Sequence, residues 1–118
     1  MYYCFNVTSG EIPGKPEAVL IRALEPVDGA DIMAKRRGIL NGKFRDLTNG
    51  PGKLCMAMGI SKVQNKADLT VPPLYVKDAP SIRSEDIVDA TRVGVDYAGE
   101  WKDKSLRFYI RGNRFVSI

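Results

Sequence analysis

The chain has 118 residues, 44% hydrophobic and 27% charged, and a formal net charge of +4. That composition fits one modest folded domain and excludes a disordered tail. The absence of histidine excludes imidazole zinc sites and serine–histidine triads, while the positive charge suits a polyanionic partner.

Residues 2–8 alternate, with Tyr3, Phe5 and Val7 on one face and Tyr2, Cys4, Asn6 and Thr8 on the other. That is strand periodicity. The second face mixes polar and apolar groups and reads either as a binding face or as the wet side of a half-exposed strand. Gly10, Pro13, Gly14 and Pro16 make residues 9–16 a loop. Residues 18–24 are predicted as a second strand, with Arg22 inside an apolar run. A guanidinium keeps its charge in proteins and is costly to bury unpaired. Arg22 must therefore reach solvent, a carboxylate or a ligand, and Glu25 points to the opposite face. Pro26 ends this strand. Asp28 is placed to cap a helix running to about Arg37, with Asp31 in its first turn and Lys35, Arg36 and Arg37 in its last, the charge order that a helix dipole favours. The basic cluster reads as a phosphate contact or as a solvated helix end. Residues 38–47 form a connection.

The stretch from Thr48 to Gly59 has the character of a helix start. Asn49 is a suitable N-cap, and Pro51 fits the first turn, where its missing N–H has no helical partner. Gly50 and Gly52 remove side-chain bulk, and Lys53 adds a full positive charge to the partial one of the helix dipole. Leu54, Cys55 and Met58 give the turn an apolar face, and Gly59 supplies the stop. The pattern supports an anion site or an ordinary capped helix with a surface lysine. It is not a P-loop, because the glycine spacing is wrong and no Ser or Thr follows Lys53.

Beyond it, residues 61–68 read as loop with Lys62 and Lys66 exposed, and residues 74–76 as a short strand. Residues 78–85 are loop, residues 87–91 lead into a strand over 92–95, and Gly94 there permits close backbone approach. A helical turn is expected at 99–103, a strand at 106–110 and a turn at Gly112-Asn113. No apolar run is long enough to span a membrane, and the start lacks the basic region of a signal peptide. The two cysteines, Cys4 and Cys55, each sit in an apolar run. They are expected to be buried free thiols in a reducing compartment.

Five segments, in this order, together resemble the alkylpurine (3-methyladenine) DNA glycosylases. They are Met1-Tyr2-Tyr3-Cys4-Phe5-Asn6-Val7, Val19-Leu20-Ile21-Arg22-Ala23-Leu24-Glu25-Pro26, Asn49-Gly50-Pro51-Gly52-Lys53-Leu54-Cys55, Thr91-Arg92-Val93-Gly94-Val95, and Ala98-Gly99-Glu100-Trp101 with Leu106-Arg107-Phe108-Tyr109-Ile110. The resemblance covers nearly the whole chain. It implies an α+β fold, a curved, mostly antiparallel sheet with flanking helices like the C-terminal domain of methionyl-tRNA formyltransferase, here as a single domain over residues 1–118 truncated at its N-terminus. It implies a base-excision repair enzyme that flips an alkylated purine out of duplex DNA and hydrolyses its N-glycosidic bond. It implies no metal or redox cofactor, no membrane, and a location with the DNA: cytoplasmic and nucleoid-associated in a prokaryote, nuclear in a eukaryote.

Residue by residue, the resemblance places Met1 and Tyr2 beside the intercalating position, and Asn6 in the base pocket, where it discourages guanine. It places Arg22 close to the catalytic carboxylate and water. Gly52 and Lys53 match backbone-phosphate contacts, and Lys62, Val93 and Gly94 further DNA-contacting positions. The family pattern extends ahead of Met1, and that part carries the water-activating glutamate, a stacking aromatic residue and a pocket histidine. Glu25 and Glu100 match other positions, so no catalytic residue is assigned within the chain. The expectation is a glycosylase-family protein whose own residues lack the catalytic group. The alternative is an inactive DNA-binding remnant, or one half of a split enzyme whose N-terminal half is on another chain.

Overall fold

The computed structural model describes residues 2–8, 17–39, 44–92 and 96–116. Among the described residues it is a small α+β structure with two α-helices and two separate two-stranded antiparallel sheets. The chain divides into two compact units, Met1–Val76 with Arg114–Ile118, and Lys77–Asn113.

In the first unit, β1 (Phe5–Thr8) pairs with β2 (Ala18–Ile21), with Phe5 opposite Ile21, Asn6 opposite Leu20 and Val7 opposite Val19. The alternation expected of β1 holds: Phe5 and Val7 are half-buried, Asn6 and Thr8 exposed. Both strands are shorter than their patterns suggest. β2 stops at Ile21 because the chain then leaves β1 for another partner. The Leu24 N–H donates to the Thr48 carbonyl at 3.2 Å, and the Thr48 hydroxyl donates to the Leu24 carbonyl. Thr48 is buried, and these bonds satisfy its carbonyl and its hydroxyl. Arg22 consequently lies beyond the strand and is exposed, which corrects the expectation of a guanidinium within an apolar strand.

Helix α1 (Ala30–Arg37) begins at Gly29, not at a capping Asp28. Gly29 sits in the left-handed region, φ 77°, and its carbonyl accepts the Met33 N–H at 3.0 Å. No side-chain cap is made there, so glycine's freedom at positive φ replaces a cap. The three basic residues in the last turn of α1 do not all remain solvated. Arg36 donates from Nη1 to the Ala57 carbonyl at 3.0 Å, and Arg37 from Nη2 to the Asp46 carbonyl at 3.3 Å. Arg36 thereby places a cation at the carbonyl-rich end of α2, where the helix dipole favours it.

Helix α2 (Pro51–Met58) packs against α1 and carries the centre of the core. Leu54, Cys55 and Ala57 on α2, with Leu47 and Thr48 just ahead of it, are almost fully buried, while Met58 is half-buried. The helix ends at Gly59 in the left-handed conformation, with the Ile60 N–H closing onto the Cys55 carbonyl at 2.8 Å. After it, residues 61–68 are not plain loop. Ser61 and Gln64 form a reciprocal capping box around the turn Lys62–Gln64. Residues 74–76 form no strand. The Val76 N–H is used locally, donating to the Leu69 carbonyl at 2.8 Å, and so serves no sheet ladder.

In the second unit, β3 (Ile87–Ala90) pairs with β4 (Arg107–Ile110), Ile87 opposite Ile110 and Asp89 opposite Phe108. The segment expected only to lead into a strand, residues 87–91, thus itself carries β3; of the strand expected over 92–95, Arg92 is in no strand and 93–95 lie outside the described residues. A tight helical segment, Asp96–Asp103, includes the turn expected at 99–103 and kinks at Gly99. The Arg111 N–H donates to the Asp86 carbonyl at 2.8 Å, bracing the end of the hairpin.

Candidate functional site

The β1–β2 register makes one face of the hairpin from Asn6 and Thr8 on β1 and Ala18 and Leu20 on β2. Asn6 on this face and Arg22, just past the end of β2, are both exposed. Among the described residues Arg22 has no ion pair. The paired bonds between Leu24 and Thr48 tie the exit of β2 to the approach to α2, so this face and the start of α2 belong to one framework.

The start of α2 differs from the sequence expectation in a way that matters chemically. Asn49 is not its N-cap; Gly50 is, in an extended conformation, and no side chain caps the helix. Instead Asn49 bridges two charged residues. Its Nδ2 donates to Asp46 Oδ1 at 3.1 Å, and its Oδ1 accepts from Lys53 Nζ at 3.1 Å. A side-chain cap would have consumed a backbone donor at this terminus. The first intrahelical bond runs from the Leu54 N–H to the Gly50 carbonyl at 2.8 Å, so the N–H groups of Gly52 and Lys53 precede any intrahelical acceptor. The exposed ammonium of Lys53 is held on the same turn by Asn49.

Gly52 has a sharper role than keeping space open. A β-carbon built there would lie 2.8 Å from Tyr2 Cβ and 2.9 Å from Tyr2 Cγ. The space is occupied by Tyr2, whose ring end remains largely in solvent at 73% residue exposure. Glycine at 52 thus lets the segment before β1 lie against the helix start. At Gly50 the nearest atom to such a β-carbon is Lys53 Cδ at 3.7 Å, an ordinary contact.

Of the residues singled out by sequence, Tyr2, Gly52 and Lys53 converge at the start of α2, while Asn6 is exposed on β1 and Arg22 is exposed just past β2. Lys62 is exposed at the head of the turn that follows α2. Met1, Val93 and Gly94 lie outside the described residues. Two residues that organise the site were not singled out, Thr48 and Asp46, and Arg36 was read only as part of a basic cluster, not as a donor to α2. Threonine directly before a capped helix is a visible signal, but the partner that buries it is 24 residues away.

The two cysteines separate. Cys55 is buried, whereas Cys4 is exposed, because the residues before β1 run along the surface. Burial, and secondarily the nearby Cys4 thiol, push the Cys55 thiol above its ordinary value. Among the described residues no helix is long and apolar enough to cross a membrane.

The sequence profile of the methylpurine-DNA glycosylases matches residues 1–114. A relative from Clostridium acetobutylicum, named as a candidate 3-methyladenine DNA glycosylase, is 46% identical over 124 residues, covering 100% of this chain and 60% of the relative. Relatives carrying the same name from Natranaerobius thermophilus and Desulfitobacterium hafniense are 48% and 47% identical, each with 100% of this chain and 60% of the relative covered. The chain spans about 60% of the length of these curated relatives.

Proposed function

The chain belongs to the methylpurine-DNA glycosylase family, and from this we propose that it serves base-excision repair as part of a hydrolase. The reaction is cleavage of the N-glycosidic bond of an alkylated purine flipped out of duplex DNA. These residues form one part of a glycosylase domain, holding the DNA backbone and one side of the base pocket. The observation that best supports this reading is the uncapped start of α2, with Lys53 fixed beside it by Asn49 and Tyr2 seated on Gly52.

In this reading a DNA phosphate is bound by the Gly52 and Lys53 N–H groups, the helix dipole and the Lys53 ammonium. Tyr2, with Met1, borders the minor groove, and Lys62, Val93 and Gly94 add further backbone contacts. Asn6 crowds the exocyclic amino group of guanine and so favours purines that lack it. Arg22 stands beside the catalytic carboxylate and water, where its permanent charge favours the ionised carboxylate. That carboxylate belongs to the part of the family's length that these 118 residues do not include, and it is joined in the same polypeptide or supplied by a second chain. The curved sheet of the family fold likewise belongs to the complete protein.

The 118 residues alone then bind duplex DNA without releasing a base. Lacking a positioned general base costs ~10²–10⁴ in rate, so single-turnover release of 3-methyladenine or hypoxanthine by the purified chain should be undetectable beside a complete relative. Release at a comparable rate would overturn the division of labour. For binding, Lys53→Ala should weaken affinity about equally for all sequences and flatten the slope of log K against log salt by ~0.9. Lys35→Ala, in the last turn of α1, should change the slope less. Equal small effects from both lysines would instead identify diffuse surface charge.

A further inference from the structure

The β3–β4 hairpin is turned the wrong way for its own sequence. Its half-buried face carries Val88, Ala90, Arg107 and Tyr109, with the Arg107 guanidinium 4.6 Å above the Tyr109 ring. Its solvent face is the more apolar one. Phe108 is 66% exposed, and Ile87 and Ile110, directly opposite one another, are 43% and 42% exposed. Leu106, two residues before Phe108 and on the same face by alternation, is 47% exposed. Only Asp89, across from Phe108, interrupts this surface with charge. A contiguous apolar patch marks an interface, and an isolated two-stranded hairpin is marginal until another element packs on it.

We infer that the Leu106–Phe108–Ile110 stripe with Ile87 is the docking surface for the remaining part of the glycosylase chain, the portion of its relatives' length that this sequence does not contain. The occupant follows from length and pattern. The chain fills 60% of each of three relatives, and the rest of each relative's length lies outside the match and is available to cover this face. A period-2 apolar stripe is the pattern of a strand with one face packed against another element, and here that apolar face is the one in solvent. The docking segment should present apolar side chains to Phe108 and the two isoleucines, and a cationic or hydrogen-bond-donating group to Asp89. This inference rests on the reading of the chain as part of a glycosylase, and names the surface through which the complementary part joins it.

The test is co-expression of the 118-residue chain with a tagged polypeptide comprising the portion of the Clostridium acetobutylicum relative outside the match. The amount of chain that co-purifies is then measured. The wild type should be recovered with the tagged piece in equal proportion. Phe108→Asp should cut recovery by about tenfold or more, and Phe108→Ala should act in the same direction, as truncating a buried aromatic anchor does. Val27→Asp, at an exposed position of the first unit, should leave it unchanged. Phe108→Ala guards against misfolding, and both variants are checked by far-UV circular dichroism. Full recovery of both Phe108 variants would overturn the surface while leaving the glycosylase reading intact. Failure of the wild type to co-purify would overturn docking itself; the DNA-binding slope of Lys53→Ala judges the parent reading separately. A concentration-dependent dimer of the chain alone, abolished by Phe108→Asp, would overturn the inference in favour of a second copy.

Discussion

The two units of the chain close their structures to very different degrees. In the first, Leu47, Thr48, Leu54, Cys55 and Ala57 are essentially inaccessible, and the carbonyl and hydroxyl of Thr48 are satisfied by the chain leaving β2. In the second, no described residue is fully buried, and its largest apolar side chain on β4 faces water. The first unit has an interior in the ordinary sense of packed side chains. The second has one covered sheet face and exposed ion pairs, such as Arg83 with Glu85 at 2.9 Å, which contribute little. The proposed DNA-contact features at α2 are thus built on the unit that packs for itself, whereas the second unit leaves the apolar stripe of β4 in solvent.

Substitutions should break that contrast unequally. Leu54→Ala empties a fully buried site on α2 and should cost about 2–5 kcal/mol in a denaturant melt. Phe108→Ala, in the absence of any partner, should cost no more than about 0.5 kcal/mol, the scale of surface changes. A large loss from Phe108→Ala in the isolated chain would show that this face already packs within the 118 residues.

The next largest effect belongs to the close approach at α2. Gly52→Ala forces a methyl group against Tyr2 Cβ and Cγ and should cost about 1–3 kcal/mol by overpacking, or displace Tyr2. Near-ultraviolet circular dichroism and DNA affinity would both register that displacement. Gly50→Ala, with only an ordinary contact to Lys53 and an extended backbone, should be close to neutral. Equal effects at both positions would mean that backbone freedom, rather than the seat for Tyr2, sets the need for glycine.

Arg22 gives a smaller effect. Because it lies outside β2 and exposed, Arg22→Met should shift the stability of this chain by no more than about 0.5 kcal/mol. The same change in a complete relative should cripple base release. A marked drop in the melting midpoint of this chain would reveal a structural partner.

The thiols supply the finest discrimination. At mildly alkaline pH an alkylating reagent should modify exposed Cys4 well before buried Cys55, followed by mass spectrometry. Burial raises the folded-state pKa of Cys55, so its contribution to stability is intact below the ordinary thiol range. That contribution is lost as pH rises through the raised value, so the melting midpoint should fall on the alkaline side. Asp68 has the opposite sign. The Thr70 hydroxyl and backbone N–H hold its carboxyl below the usual range, so its small contribution disappears as pH falls through that lowered value.

What was legible in the sequence was local. The alternation of β1, Pro51 in the first turn of α2, the stop at Gly59 and the β4 strand all follow from backbone preferences that neighbouring residues settle among themselves. The five ordered segments were specific enough to point to the glycosylase family, which the match over residues 1–114 bears out. Tertiary structure decided the rest, because each feature depends on a partner far along the chain. β2 ends at Ile21 through the bonds of Leu24 with Thr48; Arg36, though exposed, donates to the Ala57 carbonyl; and Gly52 is needed because Tyr2 comes to rest on it. Likewise Asn49 has the chemistry of a cap, but the proximity of Asp46 and Lys53 turned it into a bridge. The β4 strand was visible as an apolar run, but only packing decides which of its faces meets solvent, since alternation identifies two sides of a strand and says nothing of what lies against either.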